Sequence, residues 1–140
     1  MTLDKNKKLE LFRMMLLIRM FEEALEEMFS RGILHGTMHL SIGQEATAAG
    51  ACLALTKEDL ITSTHRGHLH CLAILADTFR IFSELLARDD GYCPLLARSM
   101  HLSLLSHSYF RSNSVVACRF TISVVSSPSL PIPQYHDRYF

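Results

Sequence analysis

Apolar residues recur with helical spacing over the first 30 positions of the chain. They fall every three or four residues from about Asp4 to Ser30, at Leu9, Phe12, Leu16, Met20, Ala24 and Met28, with charged residues on the other faces. Because an α-helix has about 3.6 residues per turn, this spacing predicts one long amphipathic helix. Thr2 or Asp4 is suited to cap its start, and Gly32 is suited to end it in a left-handed conformation.

Shorter elements follow the irregular segment after Gly32. Residues 43–55 form a helical stretch of small side chains, which Ser41 and Gln44 can start with a capping box. Residues 60–63 are β-prone and long enough for one buried strand. Helix resumes near His68 and again from Asp77, as N-cap, to about residue 87. A strand between helices predicts an α/β fold.

The composition changes after Gly91. All 6 glycines and 13 of the 14 acidic residues lie in residues 1–91, whereas all 4 prolines follow. Residues 115–117 and 120–125 have β propensity, but their flanks are rich in serine. We therefore divide the chain into an N-terminal domain part at 1–92, a degenerate continuation at 93–126 and a disordered tail at 127–140.

Charge and hydropathy exclude several function classes. The 14 basic residues equal the 14 acidic ones, which argues against a general nucleic-acid binder. No apolar stretch approaches the roughly 20 residues that cross a bilayer, and charges interrupt the N-terminal apolar run, so we expect a cytoplasmic protein without membrane contact. The cysteines form no C-x-x-C pair and are expected to be reduced and mostly buried: Cys52, Cys71, Cys93 and Cys118.

The densest polar cluster, His65-Arg66-Gly67-His68, directly follows the predicted strand. Ligands of open α/β sheets bind at the carboxyl ends of strands, and a guanidinium suits a phosphate, so the cluster predicts an anion site. A helix start with solvent-facing side chains is an equally simple interpretation. Zinc is a further hypothesis, and its candidate ligands are His65, His68, His70 and Cys71.

A second polar loop, His35 to Glu45, contains His35 and His39 between glycines. Since histidine titrates near neutral pH, such a loop can serve proton transfer. A purely structural role, with Ser41 as a helix cap, explains the same residues.

Five segments together resemble a known family. They are RMFE (19–22), HGTMHLSIGQEA (35–46), ITSTHRGH (61–68), GYC (91–93) and SMH (99–101). In this order and spacing they resemble the alpha subunit of the first, thiamine diphosphate-dependent component of 2-oxoacid dehydrogenase complexes, most closely its bacterial pyruvate and acetoin branch. The resemblance implies an incomplete thiamine diphosphate-binding α/β fold, mostly helical over the first ~90 residues with a short parallel strand.

The resemblance also implies site residues. His65 and Arg66 match the pair that contacts thiamine diphosphate, with Arg66 on the diphosphate. Ser114 and Val116 match positions whose backbone holds the aminopyrimidine. Three histidines match catalytic positions along the channel to the thiazolium ring: His39, His68 and His101.

The chain departs from the family pattern after Cys93. Serine, arginine, cysteine and valine stand where family glycines would be, and Arg111 and Arg119 add long side chains where the backbone must approach closely. The Gly-Asp-Gly motif that holds Mg²⁺ in the family has no counterpart in these 140 residues. We therefore expect a fragment that is inactive alone.

The resemblance implies two partners. A dehydrogenase beta subunit would supply the carboxylate that activates the cofactor, and a lipoyl acyltransferase component would receive the acyl group. The alternative hypothesis is a non-catalytic module that docks on a dehydrogenase beta or alpha subunit.

Overall fold

A computed structural model describes residues 3–56, 59–74 and 76–92, together with the backbone of 109–112. The elements in chain order are α1 (Lys5–Ser30), α2 (Glu45–Cys52), β1 (Ile61–Ser63), α3 (Gly67–Ala73), α4 (Thr78–Leu85) and β2 (Tyr109–Ser112). The two strands pair in parallel. The described residues thus form a mostly helical α/β arrangement, as expected.

Local side-chain bonds set the ends of α1. The Asp4 carboxylate accepts a hydrogen bond from the Lys7 amide at 2.7 Å and caps the first turn. Gly32, with φ +70°, follows the last turn in the left-handed conformation. Both predicted boundaries are confirmed. No helix in the described part of the chain is long and apolar enough to cross a membrane.

The side of α1 that faces the core is not the side occupied by most of the predicted apolar series. Met14, Ile18, Phe21 and Leu25 are buried on this helix and pack in the core. Four members of the predicted apolar series remain 45–61% exposed: Leu9, Phe12, Leu16 and Met20. Helix α1 therefore carries apolar side chains on two sides, and only one of these sides packs against α2 and α3.

Helix α2 is shorter than predicted and is not started by a capping box. It spans Glu45–Cys52, Gln44 is its N-cap, and no side chain caps it. The Ser41 side chain makes no capping bond, so the capping role suggested for Ser41 is wrong. Its amide donates to the Glu22 carboxylate. Ala48 and Ala49 are completely buried, which fits the prediction that small side chains let this helix pack deeply.

The sheet contains one predicted strand and one that was not predicted. All three residues of β1 are buried, and they lie within the predicted 60–63. Ile61 pairs with Tyr109 and Ser63 with Ser112, with an irregularity after Ile61. The β-prone stretches 115–117 and 120–125 and the tail 127–140 lie outside the described residues.

Helix α4 begins at the predicted cap and ends against a buried glycine. The Asp77 carboxylate accepts from the Phe79 amide at 2.8 Å. Ala87, just beyond the helix, has φ +57°, a conformation that is costly for a residue with a Cβ. The buried Gly91 lies against Glu84, so that a Cβ added there would sit 2.9 Å from the Glu84 Cα.

Two of the four cysteines lie in the described residues. Cys52 and Cys71 are free and buried, as predicted for them. Burial raises the pKa of the Cys52 thiol to about 12, because the charged thiolate is disfavoured away from water. Cys93 and Cys118 lie outside the described residues.

We predict that Gly91→Ala destabilises the chain by about 2 kcal/mol, because the new methyl group would overlap the backbone of Glu84. The free energy of unfolding in urea measures this effect. Gly50→Ala is the matched control: its Cβ meets nothing within 4 Å on a helix, so a gain of up to about 1 kcal/mol is expected. Equal effects at both positions would contradict the close approach at Gly91.

Candidate functional site

Two histidines from separate segments meet beyond the end of β1. His65 lies in the turn between β1 and α3, and His39 lies in the loop that leads to α2. Their ring centroids are 4.7 Å apart with an edge-to-face angle of 73°. The two polar clusters of the sequence therefore form one site.

The surroundings of His65 favour its neutral form. Partial burial lowers the pKa of this imidazole, and the charges of His39, Arg66 and His68 lower it further. A neutral imidazole at pH 7 can accept a proton or a hydrogen bond. His65 is therefore suited to accept either a proton or a hydrogen bond at this position.

Arg66 lies beside this pair. Its backbone amide donates to the Thr64 hydroxyl at 3.3 Å, which fixes the turn. Its Nε is buried and has no hydrogen-bond partner within the described residues. A buried guanidinium nitrogen normally has an acceptor, so its position fits a bound anion such as a phosphate.

His68 is completely buried and faces a carboxylate. Its Nε2 lies 2.6 Å from Oε1 of Glu22, and neither side chain is exposed to solvent. The other Glu22 oxygen accepts from the Ser41 amide at 2.8 Å. Glu22 therefore joins α1, the loop that carries His39, and α3.

Glu22 has no role among the predicted site residues, although it closes the RMFE segment. The spacing of Glu22 from neighbouring apolar residues indicates that it is buried. Glu22 lies four residues after Ile18 and three before Leu25, both completely buried, so it falls on the core side of α1. A carboxylate at such a position requires a partner, because an unpaired buried charge is very unfavourable.

An ion pair holds the same loop from a position on α1 less than one turn away. The Arg19 Nε donates to Glu45 Oε1 at 2.7 Å, and the Gly43 amide donates to the same oxygen at 2.9 Å. The bond with Arg19 is the main reason why the pKa of Glu45 falls to about 2. Arg19 and Glu22 thus fasten both ends of the segment 41–45.

The zinc hypothesis finds no geometric support. Within the described residues no three His, Cys, Asp or Glu side chains come together as metal ligands. His68 faces Glu22, and the His70 Nδ1 lies 3.0 Å from the Ser63 hydroxyl. The four candidate ligands therefore do not converge.

The structure brings together four of the seven residues proposed from the sequence. These four are His39, His65, Arg66 and, buried behind them, His68. His101, Ser114 and Val116 lie outside the described residues. Their assigned roles stay predictions.

Comparison with known proteins identifies the family of the chain. The sequence profile of the family described as Dehydrogenase E1 component matches residues 12–125. The chain belongs to the dehydrogenase E1 component family. The match includes every described site residue and continues through most of the part that departs from the family pattern.

Curated relatives of this E1 chain include subunits of two kinds of dehydrogenase. Identity is 38% over 127 residues with the alpha subunit of acetoin:2,6-dichlorophenolindophenol oxidoreductase from Bacillus subtilis (strain 168), covering 91% of this chain and 38% of that protein. It is 36% over 117 residues with the pyruvate dehydrogenase E1 component subunit alpha of Zymomonas mobilis, covering 83% and 33%. The chain thus spans about a third of the length of these relatives.

We predict that Glu22→Ala destabilises this E1 chain by about 3 kcal/mol, because it leaves the buried His68 ring and the buried Ser41 amide without the carboxylate that they face. Thermal or urea unfolding measures the loss. Glu23→Ala is the matched control, since the Glu23 side chain is 57% exposed and lies 3.9 Å from Arg19. That variant should lose less than about 1 kcal/mol. Similar losses for both variants would contradict the role of Glu22 in the core.

A second prediction concerns acid stability. Because the pKa of Glu45 is about 2 in the folded chain and near 4.5 when unfolded, its carboxylate stabilises the fold above about pH 4.5. That stabilisation is lost as the pH falls from about 4.5 to about 2. Glu45→Gln should flatten the curve of unfolding free energy against pH in this window.

The control for Glu45 is Glu26→Gln, which changes an exposed carboxylate on α1. This variant should keep the wild-type slope between pH 4.5 and 2. An unchanged slope in Glu45→Gln would show that the ion pair with Arg19 does not contribute to acid stability.

Proposed function

We propose that this chain provides part of the cofactor site of a thiamine diphosphate-dependent dehydrogenase alpha subunit. The complete enzyme would oxidatively decarboxylate a 2-oxoacid such as pyruvate, or cleave acetoin, and pass the acyl group to lipoamide. The observation that carries the proposal is the buried Arg66 Nε without a described partner, next to the His39–His65 pair at the end of β1. The acetoin and pyruvate dehydrogenase relatives support the same substrate classes.

The described residues fit the diphosphate of this cofactor. A doubly charged phosphate ester needs directional cationic donors, and Arg66 offers one at a buried position. The turn after β1 is the place where anions bind in α/β folds. When bound, thiamine diphosphate supplies a nucleophilic carbon for cleavage next to a carbonyl group. Arg66 would hold its diphosphate, with His65 as a second contact.

The histidines of the site would handle protons. His65 is kept neutral by partial burial and by its cationic neighbours, so it can accept a hydrogen bond from the cofactor or its bound water. His39 faces it and would line the path of the substrate with His101. His68 is buried against Glu22. It would therefore act on the site from its buried side and not from its surface.

Other parts of the site would come from outside the described residues. The backbones of Ser114 and Val116 would hold the aminopyrimidine, and a beta subunit would supply its activating carboxylate. A Mg²⁺ ion, which the family motif outside these 140 residues would hold, would compensate the remaining charge of the diphosphate. We infer that this chain acts in the cytoplasm and does not turn over substrate by itself. In the complete enzyme, a lipoyl acyltransferase component would take the product.

A second candidate function is a non-catalytic module that docks on a dehydrogenase beta or alpha subunit. The exposed apolar side chains of α1 favour it, because apolar surface of this kind commonly marks an interface. Co-purification with a beta subunit at fixed stoichiometry and without turnover would support this module over the enzyme.

We predict that Arg66→Ala weakens the binding of thiamine diphosphate at least ~10-fold, because the substitution removes a charge-assisted contact to the diphosphate. Isothermal titration calorimetry with Mg²⁺ measures the affinity, first for the chain alone and then with a dehydrogenase beta subunit from the same cell. Arg31→Ala is the control, since Arg31 pairs with Glu27 at the exposed end of α1. It should bind as the wild type does. Absence of saturable binding by the wild type in both settings would overturn the proposal.

A further inference from the structure

One side-chain hydrogen bond spans the turn that carries His65 and Arg66. The hydroxyl of Ser63, the last residue of β1, lies 3.0 Å from Nδ1 of His70 on α3. The two residues are seven positions apart, and the turn at residues 64–66 lies between them. The bond therefore joins the strand that leads into the turn to the helix that follows it.

Both ends of this bond belong to packed elements. Ser63 is 3% exposed, and its backbone pairs with Ser112 in the parallel sheet. On α3, the two neighbours of His70 are buried, with Leu69 2% and Cys71 0% exposed. Elements packed in this way shift little, so a bond between them fixes the distance that the turn must span.

The bonds inside the turn are weaker. The Arg66 amide donates to the Thr64 hydroxyl at 3.3 Å, which is long for a hydrogen bond. Arg66 is also the N-cap of α3, and no side chain caps this helix start. The shape of the turn therefore depends on where its two ends are held, and the bond between Ser63 and His70 holds them.

An imidazole suits this bond in both of its charge states. The neutral ring can accept at Nδ1 from the Ser63 hydroxyl, whereas the protonated ring donates from the same nitrogen to the hydroxyl oxygen. The contact between Ser63 and His70 therefore does not require one protonation state of the ring. The turn can stay closed while protons move elsewhere in the site.

The turn has to be held because the contact expected of Arg66 is directional. Its Nε is buried and has no hydrogen-bond partner within the described residues. A guanidinium donates along fixed N–H directions, so a shift of more than about 0.5 Å would misplace the donor. The same turn carries His65 to within 4.7 Å of the His39 ring. Both groups therefore move with the turn.

We propose that His70 is a positioning residue of the cofactor site: through its bond to Ser63 it holds the turn at residues 64–66 and sets the place of Arg66. Its part in binding rests on the proposed function, in which Arg66 contacts the diphosphate. Its effect on the turn needs no cofactor, so the two can be measured separately.

Amide hydrogen exchange of the full chain, followed by NMR, tests the effect on the turn. Ser63→Ala and His70→Gln should each speed the exchange of the Arg66 amide about 10-fold, because each removes a hydrogen bond that opposes local opening. His70→Asn should keep the wild-type rate, because the δ atoms of asparagine take the place of Nδ1, whereas the amide of glutamine extends beyond it. If His70→Asn behaved like His70→Gln, the Nδ1 bond would not be what holds the turn.

Calorimetry with thiamine diphosphate and Mg²⁺, under the conditions used for Arg66→Ala, tests the effect on binding. Ser63→Ala and His70→Gln should each weaken the affinity about 10-fold, and His70→Asn should not. Ser83→Ala is the matched control: Ser83 is also 3% exposed but lies on α4, so this variant should change neither the affinity nor the exchange of the Arg66 amide. Unfolding in urea checks that each variant is folded.

The two measurements separate this role from the proposed function. Unchanged exchange of the Arg66 amide in Ser63→Ala and His70→Gln would overturn the proposal, since His70 would not hold the turn. Faster exchange with wild-type affinity would also overturn it, while the proposed function would stand. A wild type that binds no thiamine diphosphate would overturn the proposed function and the binding role of His70 with it, and the exchange rates would still decide whether His70 holds the turn.

Discussion

The buried carboxylate of Glu22 is the contact on which the rest of this structure depends. It meets His68 at 2.6 Å and the Ser41 amide at 2.8 Å, so one side chain joins a helix, a loop and a second helix. A charge removed from water must keep its partners, which restricts these three segments to one arrangement. The loop fixed at Ser41 carries His39, and the helix fixed at His68 follows directly after His65. Glu22 therefore sets the place where the exposed His39 and the partly buried His65 meet.

Arg19 and Glu22 lie less than one turn apart on α1. Both hold the loop before α2, Arg19 from the surface and Glu22 from the core. Glu22 is fully buried, whereas the Arg19 side chain is 42% exposed and pairs with Glu45, whose side chain is 8% exposed. Salt screens the partly exposed pair of Arg19 and Glu45 more than it affects a contact that water does not reach. The loop before α2 is thus held at one end by a partly exposed contact and at the other by a fully buried one.

Features that depend on neighbours in sequence were predictable, and features that depend on distant segments were not. Asp4 and Asp77 cap helices through bonds to amides two or three residues away, and Gly32 ends a helix by its own conformation. Strand β2 forms by pairing with β1 more than 40 residues earlier, and two strand-prone aromatic residues among its four are too short a local signal to predict it. The apolar periodicity of α1 predicted a helix correctly. It could not tell which of two apolar sides faces inward, since the small side chains of α2 decide this. The cluster after β1 was found because its chemistry is local, whereas the partner of His68 comes from 46 residues upstream.

The ring of Phe21 has a consequence for how distant changes reach the site. Its centroid lies 4.2 Å from that of Phe82 on α4 and 6.4 Å from that of His68. Helix α4 and the buried base of the site therefore share one side chain, although they make no direct ring contact with each other. Substitutions at Phe82 and at Glu22 should then have stability effects that do not add, because both alter the packing around the same ring. A change on α4 would thus reach the buried base of the site through the packing of Phe21.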